Sequence, residues 1–208
     1  MNEYIYNTKK VGKYTVKVVQ DDDPINPRKE WDNLCKMVCF HSRYNLGDKH
    51  DFDIESIQEF VKRKDVFSLP LYLYDHSGIT ISTAPFSCQW DSGQVGYIYV
   101  ERDTFLKEFG FKKMTKKAKE RLNDLLTGEV EEYDSYLTGD VYGFKVEDEE
   151  GDTIESCWDF IGDQEYCFKE GVSTAEWLIK KDIKEHVSLV KTWIKNRVPL
   201  LKRHALTI

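Results

Sequence analysis

Three short runs rich in β-branched and aromatic residues, near the middle of the chain, constrain the fold most. The first two, 69–74 and 79–83, are joined by Asp75-His76-Ser77-Gly78. A glycine-ended turn between two β-forming runs predicts a hairpin. A second turn sequence, Asp91-Ser92-Gly93, leads to the third run at 95–100. These residues therefore predict an antiparallel meander of three strands.

A second hairpin is predicted in an acidic part of the chain. Residues 141–146 and 153–160 have strand-like composition, and they flank a carboxylate-rich tip at 148–152. A further run with strand-like alternation covers 13–19. We expect the meander and the acidic hairpin to contribute to an antiparallel sheet.

Helical patterns occupy much of the remaining chain. Residues 54–64 place apolar side chains near one face, and Asp53 is suited to cap the first turn. Residues 115–126 form a second helical pattern, which Gly128 is expected to interrupt or end.

The last helix, predicted over 173–198, has the best-defined start. Ser173 and Glu176 have the spacing of a capping box. The fold class expected is therefore α+β: an antiparallel sheet packed with several helices, including this long C-terminal one. We predict one domain over 1–208, with the last helix as a candidate appendage.

The composition is that of a folded protein in a reducing compartment. Five Trp and twelve Tyr argue against disorder, and the tryptophans are expected in the core. The five cysteines are an odd number, and Met1-Asn2-Glu3-Tyr4 lacks the start of a signal peptide. We therefore expect free thiols and a cytoplasmic location. No run of about 18 apolar residues occurs, so a membrane is not an expected partner.

Charge is distributed unevenly along the chain, whose formal net charge is −7. Residues 129–165 contain fourteen acidic side chains and one basic one, Lys145, whereas 180–203 contain eight basic and two acidic ones. Such blocks are most often solvated faces. The functional alternative is that the acidic block presents carboxylates to a basic partner.

No catalytic motif is strong enough to name a reaction. Cys35, Cys39 and His41 form C-x3-C-x-H, but no second pair completes a four-ligand zinc site. Asp75-His76-Ser77 contains the residue types of a hydrolase triad, but adjacent turn residues rarely converge on one point. We therefore expect no catalytic residues, no metal and no cofactor.

Three segments of the sequence resemble an uncharacterised protein family of bacteriophages and other mobile elements. They are Trp31–Leu34 continuing to Cys39–Asp48, then Leu69–Gly78 with Trp90–Gly96, and Tyr142–Phe144 through Ser156–Trp158. The resemblance ends near residue 163 and implies no catalytic residues, since no activity is established for that family. It implies an accessory protein, a class that often neutralises host defences.

The leading hypothesis is an acidic binding protein of phage type, without catalysis of its own, that inhibits a nucleic-acid-handling defence complex of the host. The partner would be a CRISPR effector or restriction nuclease, whose Arg- and Lys-lined channel would accept carboxylates in place of phosphates. Self-association is a further expectation. The predicted contact surface consists of nine carboxylates: Glu129, Glu131, Glu132, Asp134, Glu147, Asp148, Glu149, Glu150 and Asp152.

Two alternatives from other functional classes stay open. A small hydrolase or metal-dependent enzyme would use the turns around His41 and His76, with Asp75 and Asp91 as the accompanying carboxylates. A nucleic-acid-binding accessory protein would use the basic C-terminal helix. Its phosphate contacts would be Lys180, Lys181, Lys184, Lys191, Lys195, Arg197, Lys202 and Arg203.

Overall fold

The fold is that of a computed structural model, which describes residues 4–197. In chain order its elements are β1 (Ile5–Val11), β2 (Tyr14–Gln20), α1 (Pro27–Glu30), β3 (Lys36–Cys39), α2 (Ile54–Phe60), β4 (Val66–Asp75), β5 (Ile79–Ser82), β6 (Ser92–Glu101), α3 (Arg102–Glu108), α4 (Lys116–Thr138), β7 (Val141–Glu147), β8 (Thr153–Ile161) and α5 (Gln164–Arg197). The α+β fold class with antiparallel sheets and a long C-terminal helix is confirmed.

The chain divides into two compact units. Of the described residues, 4–21 and 142–197 form unit 1, and Asp22–Val141 form unit 2. Each unit has its own four-stranded sheet, so the meander and the acidic hairpin belong to different sheets. Cooperative folding of the whole chain as the single domain predicted for 1–208 stays a prediction.

Unit 1 is a sheet of order β1-β2-β7-β8 with α5 against one face. Alternate residues of β2, among them Val16 and Val18, are fully buried, as expected for a strand with one face in the core. They pack with Phe144 of β7 and with Ala175 and Leu178 of α5. The first half of α5 is therefore part of the unit 1 core.

Unit 2 is a sheet of order β3-β6-β4-β5, and its core includes one face of α4. The predicted hairpin is confirmed as β4 and β5, but the third run, β6, pairs with β4 and lies between β4 and β3. Leu71, Ile98, Phe105 and Tyr133 are among its completely buried large side chains. The loops at the ends of three strands of this sheet form the candidate site.

The predicted start of the last helix is wrong. Helix α5 begins at Gln164, where Asp163 accepts a hydrogen bond from the backbone N–H of Tyr166 at 2.8 Å. An aspartate before the first turn satisfies an N–H group that the helix leaves unpaired, so the helix starts there and Ser173 lies in its interior. Val198, the predicted last residue, and the bases Lys202 and Arg203 lie outside the described residues.

The expectation that the five tryptophans form the core is also wrong. All five have substantially exposed side chains: Trp31, Trp90, Trp158, Trp177 and Trp193. The interior is filled instead by Val, Leu, Ile and Phe, which leave no polar ring N–H to satisfy. Large amphipathic rings on a surface are typical of contact regions, so this difference bears on function.

Among residues 4–197, no helix combines the length and the apolar composition that crossing a bilayer requires.

Candidate functional site

Three strands of unit 2 have their ends at the same edge of the sheet. β3 ends at Cys39, which pairs with Gly96, and β4 ends at Asp75, beside the start of β6 at Ser92. The loops attached to these ends form a cleft of about 300 Å³. Its lining residues are His41, Arg43, Leu73, Asp75, Trp90, Asp91, Ser92, Gly93 and Val95.

Gly96 allows β3 and β6 to approach closely enough for this arrangement. A Cβ atom added at Gly96 would lie 1.9 Å from the carbonyl oxygen of Val38, far inside any van der Waals contact. Because the loop that carries His41 follows β3 directly, the absence of a side chain at Gly96 helps to place that loop beside the end of β4.

His76 and Asp91 form a histidine–carboxylate pair at the rim of the cleft. His76 Nδ1 lies 3.3 Å from Oδ2 of Asp91, and the backbone N–H of Asp75 donates to the Asp91 carbonyl at 2.8 Å. Because the Asp91 carboxylate can only accept a hydrogen bond, the neutral His76 ring has its proton on Nδ1. The lone pair on Nε2 is then available as a base. The imidazole also stacks with Tyr74, at a centroid distance of 6.1 Å.

The Cys88 thiol contacts the same carboxylate but does not extend the pair into a triad. Its Sγ is 3.8 Å from Oδ2 of Asp91, so the same carboxylate oxygen is in contact with both the thiol and the imidazole. A cysteine nucleophile needs the imidazole beside the sulfur and the carboxylate behind the imidazole. This order differs from that of a catalytic triad.

His41 is held by the backbone of its own loop. Its Nδ1 accepts hydrogen bonds from the N–H groups of Arg43 at 3.3 Å and Tyr44 at 3.2 Å. An accepting Nδ1 assigns the proton of the neutral ring to Nε2, which makes His41 a hydrogen-bond donor in the cleft. His41 also borders a wider depression of about 880 Å³, lined by residues between Cys39 and Asp51.

Arg43, Tyr44 and Asp75 are linked to one another across the cleft. Arg43 forms an ion pair with Asp75, and the Tyr44 hydroxyl donates to the same carboxylate at 3.4 Å. The Arg43 guanidinium also lies 5.5 Å from the centre of the Tyr44 ring, which stacks on His41. These contacts restrict exposed side chains that would otherwise sample many rotamers.

Trp90 projects from the loop that precedes β6. Its side chain is 96% exposed, the largest exposure of any large hydrophobic residue in the described chain. Trp90 and Arg43 line the same cleft, and Tyr44 is bonded to Asp75 in its wall. We call the exposed set of Arg43, Tyr44 and Trp90 the Trp90 surface.

The structure brings together all four residues of the enzyme hypothesis. His41, Asp75 and Asp91 line the cleft, and His76 is paired with Asp91 at its rim. Sequence reasoning missed Arg43, Tyr44 and Trp90. A tryptophan directly before the turn sequence Asp91-Ser92-Gly93 was a sign of exposure, because a turn offers little apolar surface for its burial.

The four predicted acidic contacts on α4 differ in their surroundings. Glu129 accepts from the buried Arg28 at 2.7 Å, and Asp134 accepts from the backbone N–H of Ile81 at 2.7 Å. Burial raises the pKa of Asp134, and burial together with Glu129 raises the pKa of Glu132. Glu131 is exposed. Two of these four carboxylates therefore have internal structural partners.

The five predicted acidic contacts of unit 1 lie at the β7–β8 hairpin. Glu147 is paired with Lys17 at 2.6 Å, and Asp148 accepts from the backbone N–H groups of Glu150 and Asp152. The side chains of Glu149, Glu150 and Asp152 are exposed. Their use as a contact surface stays a prediction.

Within the described part of the chain, no group of three or more His, Cys, Asp or Glu side chains is placed so that it could hold a metal ion. Cys35 and Cys39 are buried, and burial raises the pKa of both thiols, that of Cys39 to about 12. A thiol that stays protonated is a poor metal ligand.

Comparison with known proteins identifies no relative. No protein-family model, no curated protein and no solved structure matches the chain.

Proposed function

We propose that this chain is a binding protein without catalysis of its own, and that it engages another protein through the Trp90 surface. Trp, Tyr and Arg are the residue types with which binding energy at protein interfaces is most often associated. The Trp90 surface has one of each, around a single cleft with a polar rim.

The exposure of Trp90 carries this proposal. A tryptophan buries roughly 150–250 Å² when it is covered, which at about 25 cal/mol per Å² is worth about 4–6 kcal/mol before the costs of association. Trp90 has almost all of this area in contact with water. Because the neighbouring loop segments do not cover Trp90, a partner that buries the ring could gain nearly all of this free energy.

The polar members of the surface are arranged before any partner arrives. The Arg43–Asp75 ion pair and the stack of Tyr44 on His41 restrict both side chains. A restricted side chain loses less conformational entropy on binding than one that is free to rotate. Arg43 also has donors that its single carboxylate partner does not saturate, since a guanidinium has five N–H groups.

For the identity of the partner we propose a nucleic-acid-handling defence complex of the host, such as a CRISPR effector or restriction nuclease. Two features support this class: the resemblance to bacteriophage proteins and the net charge of −7, which favours basic partners. The exposed carboxylate of Glu131, in the same unit as Trp90, is a candidate for an auxiliary electrostatic contact.

The test is capture from bacterial lysates that express defence nucleases, followed by mass spectrometry of stoichiometric partners. Trp90→Ala is compared with Trp177→Ala, a tryptophan of unit 1 that is also exposed. We expect a nuclease with the wild-type chain and with Trp177→Ala, and its loss with Trp90→Ala. Equal capture by all three would exclude the Trp90 surface as the contact.

The His76–Asp91 pair favours a second candidate function, a small hydrolase. A carboxylate-oriented imidazole with an accepting Nε2 is suited to remove a proton from water, and the Nε2–H of His41 is suited to donate to a developing oxyanion. A panel of ester and phosphoester substrates tests this candidate. A hydrolase of this kind should show activity that His76→Ala and Asp91→Asn abolish. His186→Ala, which changes an exposed histidine of unit 1, should leave that activity intact.

A further inference from the structure

Helix α5 continues well beyond the last side chain that it buries in unit 1. Asp182 accepts hydrogen bonds from the Tyr14 hydroxyl at 2.7 Å and the Lys13 ammonium at 2.8 Å, which attach the helix to the β1–β2 hairpin. No residue from 183 to 197 is buried. We call residues 183–197 the distal half of α5.

The distal half of α5 is amphipathic. Ile183, Val187, Val190 and Ile194 follow at steps of four, three and four residues, which places them on one face of a helix. Leu189 and Trp193 extend this apolar face, and they are 70% and 54% exposed.

One side of this apolar face is bordered by lysines, since Lys184 and Lys191 line the same depression as Val187. Lys184 and Lys191 are seven residues apart and both exposed, so they occupy the same side of the helix. Residues 183–197 contain four bases, Lys184, Lys191, Lys195 and Arg197, against one acid, Glu185. A partner for this helix therefore needs apolar area together with negative charge.

Unit 1 itself contains a surface with both of these properties. β8 is at the edge of the sheet, and residues 149–158 are exposed. This stretch contains the large apolar side chains Ile154 and Trp158. It also contains four carboxylates, Glu149, Glu150, Asp152 and Glu155, and no base. We call residues 149–158 the acidic edge.

The charges of the two surfaces determine which pairing between two copies of unit 1 is favourable. Pairing two distal halves would place lysines against lysines, and pairing two acidic edges would place carboxylates against carboxylates. A distal half against the acidic edge of another copy brings opposite charges together and covers exposed apolar side chains on both sides.

We propose that the chain forms a two-fold homodimer in which the distal half of α5 of each copy docks on the acidic edge of the other. A two-fold contact of this kind is reciprocal, so it uses both surfaces of both copies and closes without further growth. This goes beyond the proposed function and does not rest on it, since Trp90 belongs to unit 2.

Sedimentation velocity over a concentration series tests the dimer, with circular dichroism as a check that each variant is folded. Lys184→Glu with Lys191→Glu in one chain, or Glu149→Lys with Glu150→Lys in another, should each raise the dimer dissociation constant at least about tenfold. Mixing the two variants should restore dimers, because every charge contact is then attractive again. Lys116→Glu with Lys117→Glu, at exposed sites on α4, is the matched control and should leave dimerisation unchanged.

Several outcomes would overturn the proposal. A wild-type chain that is monomeric at all concentrations excludes the dimer. A dimer that neither charge reversal weakens, or a mixture of variants that stays monomeric, excludes this arrangement. A monomer that shifts a DNA or RNA probe, and loses that shift in the lysine variant, would assign the distal half of α5 to nucleic acid instead.

Discussion

Arg28 donates to both carboxylate oxygens of Asp48, at 3.1 Å from Nε and 2.7 Å from Nη2. The arginine is buried, and it also donates from Nη1 to Glu129 and from Nη2 to the carbonyl of Cys35. The carboxylates in turn accept from the backbone N–H groups of Cys35 and Met37. This network ties α1, α4 and the strand β3, which leads directly into the loop of the candidate site.

Removing Arg28 should destabilise unit 2 strongly. Arg28→Ala leaves two carboxylates without their shared cation, and breaking a buried ion pair on one side costs about 3–5 kcal/mol. Urea denaturation should show this loss in the free energy of unfolding. Lys29→Ala, at the next and exposed position, should change it by less than about 0.5 kcal/mol. Similar values for the two variants would show that the network adds little stability.

Unit 1 should lose stability in acid through Asp182. Hydrogen bonds from Lys13 and Tyr14 lower the pKa of this carboxyl in the folded chain. Its contribution is therefore present above the unfolded pKa of about 3.9 and is lost as pH falls through the lower folded value. The melting temperature of Asp182→Asn should fall less between about pH 4 and pH 2 than that of the wild type. Asp124→Asn, on the exposed side of α4, should follow the wild-type curve.

Two of the five thiols should react in the native protein. Burial raises the pKa of Cys39 and Cys167 to about 12 and also raises that of Cys35, so these thiols stay protonated and covered. Cys157 is exposed and Cys88 is partly exposed. Titration with a chromogenic aromatic disulfide at pH 8 should label Cys157 and Cys88, and denaturant should release the other three. Labelling of three or more thiols without denaturant would contradict the described packing.

Gly96→Ala should disturb both the sheet and the site. The new Cβ would meet the backbone carbonyl of Val38, which cannot rotate away, so β3 and β6 must separate. Overpacking of this kind costs about 1–3 kcal/mol, and it should displace the His41 loop. Gly93→Ala is the matched control, because a Cβ there meets no atom within 4 Å. Equal stability of the two variants would show that β3 moves away from the new methyl group at little cost in free energy.

Local patterns in the sequence were enough to predict several elements. Asp53 caps α2 as expected, and it forms the full capping box with Ser56. The turn after Asp75 joins β4 and β5 as the glycine-ended sequence indicated. These outcomes depend on contacts within a few residues, which a sequence displays directly.

Features that depend on distant contacts were not predictable in the same way. Gly128 does not end α4, which continues to Thr138, because its tertiary packing through Leu126 and Val130 outweighs one unfavourable residue. Glu129 was assigned to an acidic surface because its partner Arg28 is about a hundred positions away in the sequence. The exposure of Trp90 likewise depends on the whole fold, because the ring is exposed only if no distant segment packs over it.

The affinity of the captured partner for purified chains with and without the Trp90 ring measures directly whether Trp90 anchors the contact. We expect Trp90→Ala to weaken binding by about 30-fold or more, as for an interface residue worth at least about 2 kcal/mol. Trp177→Ala should bind within about threefold of the wild type, and both variants should melt at the wild-type temperature. Unchanged affinity of a folded Trp90→Ala chain would show that the Trp90 surface is not the contact.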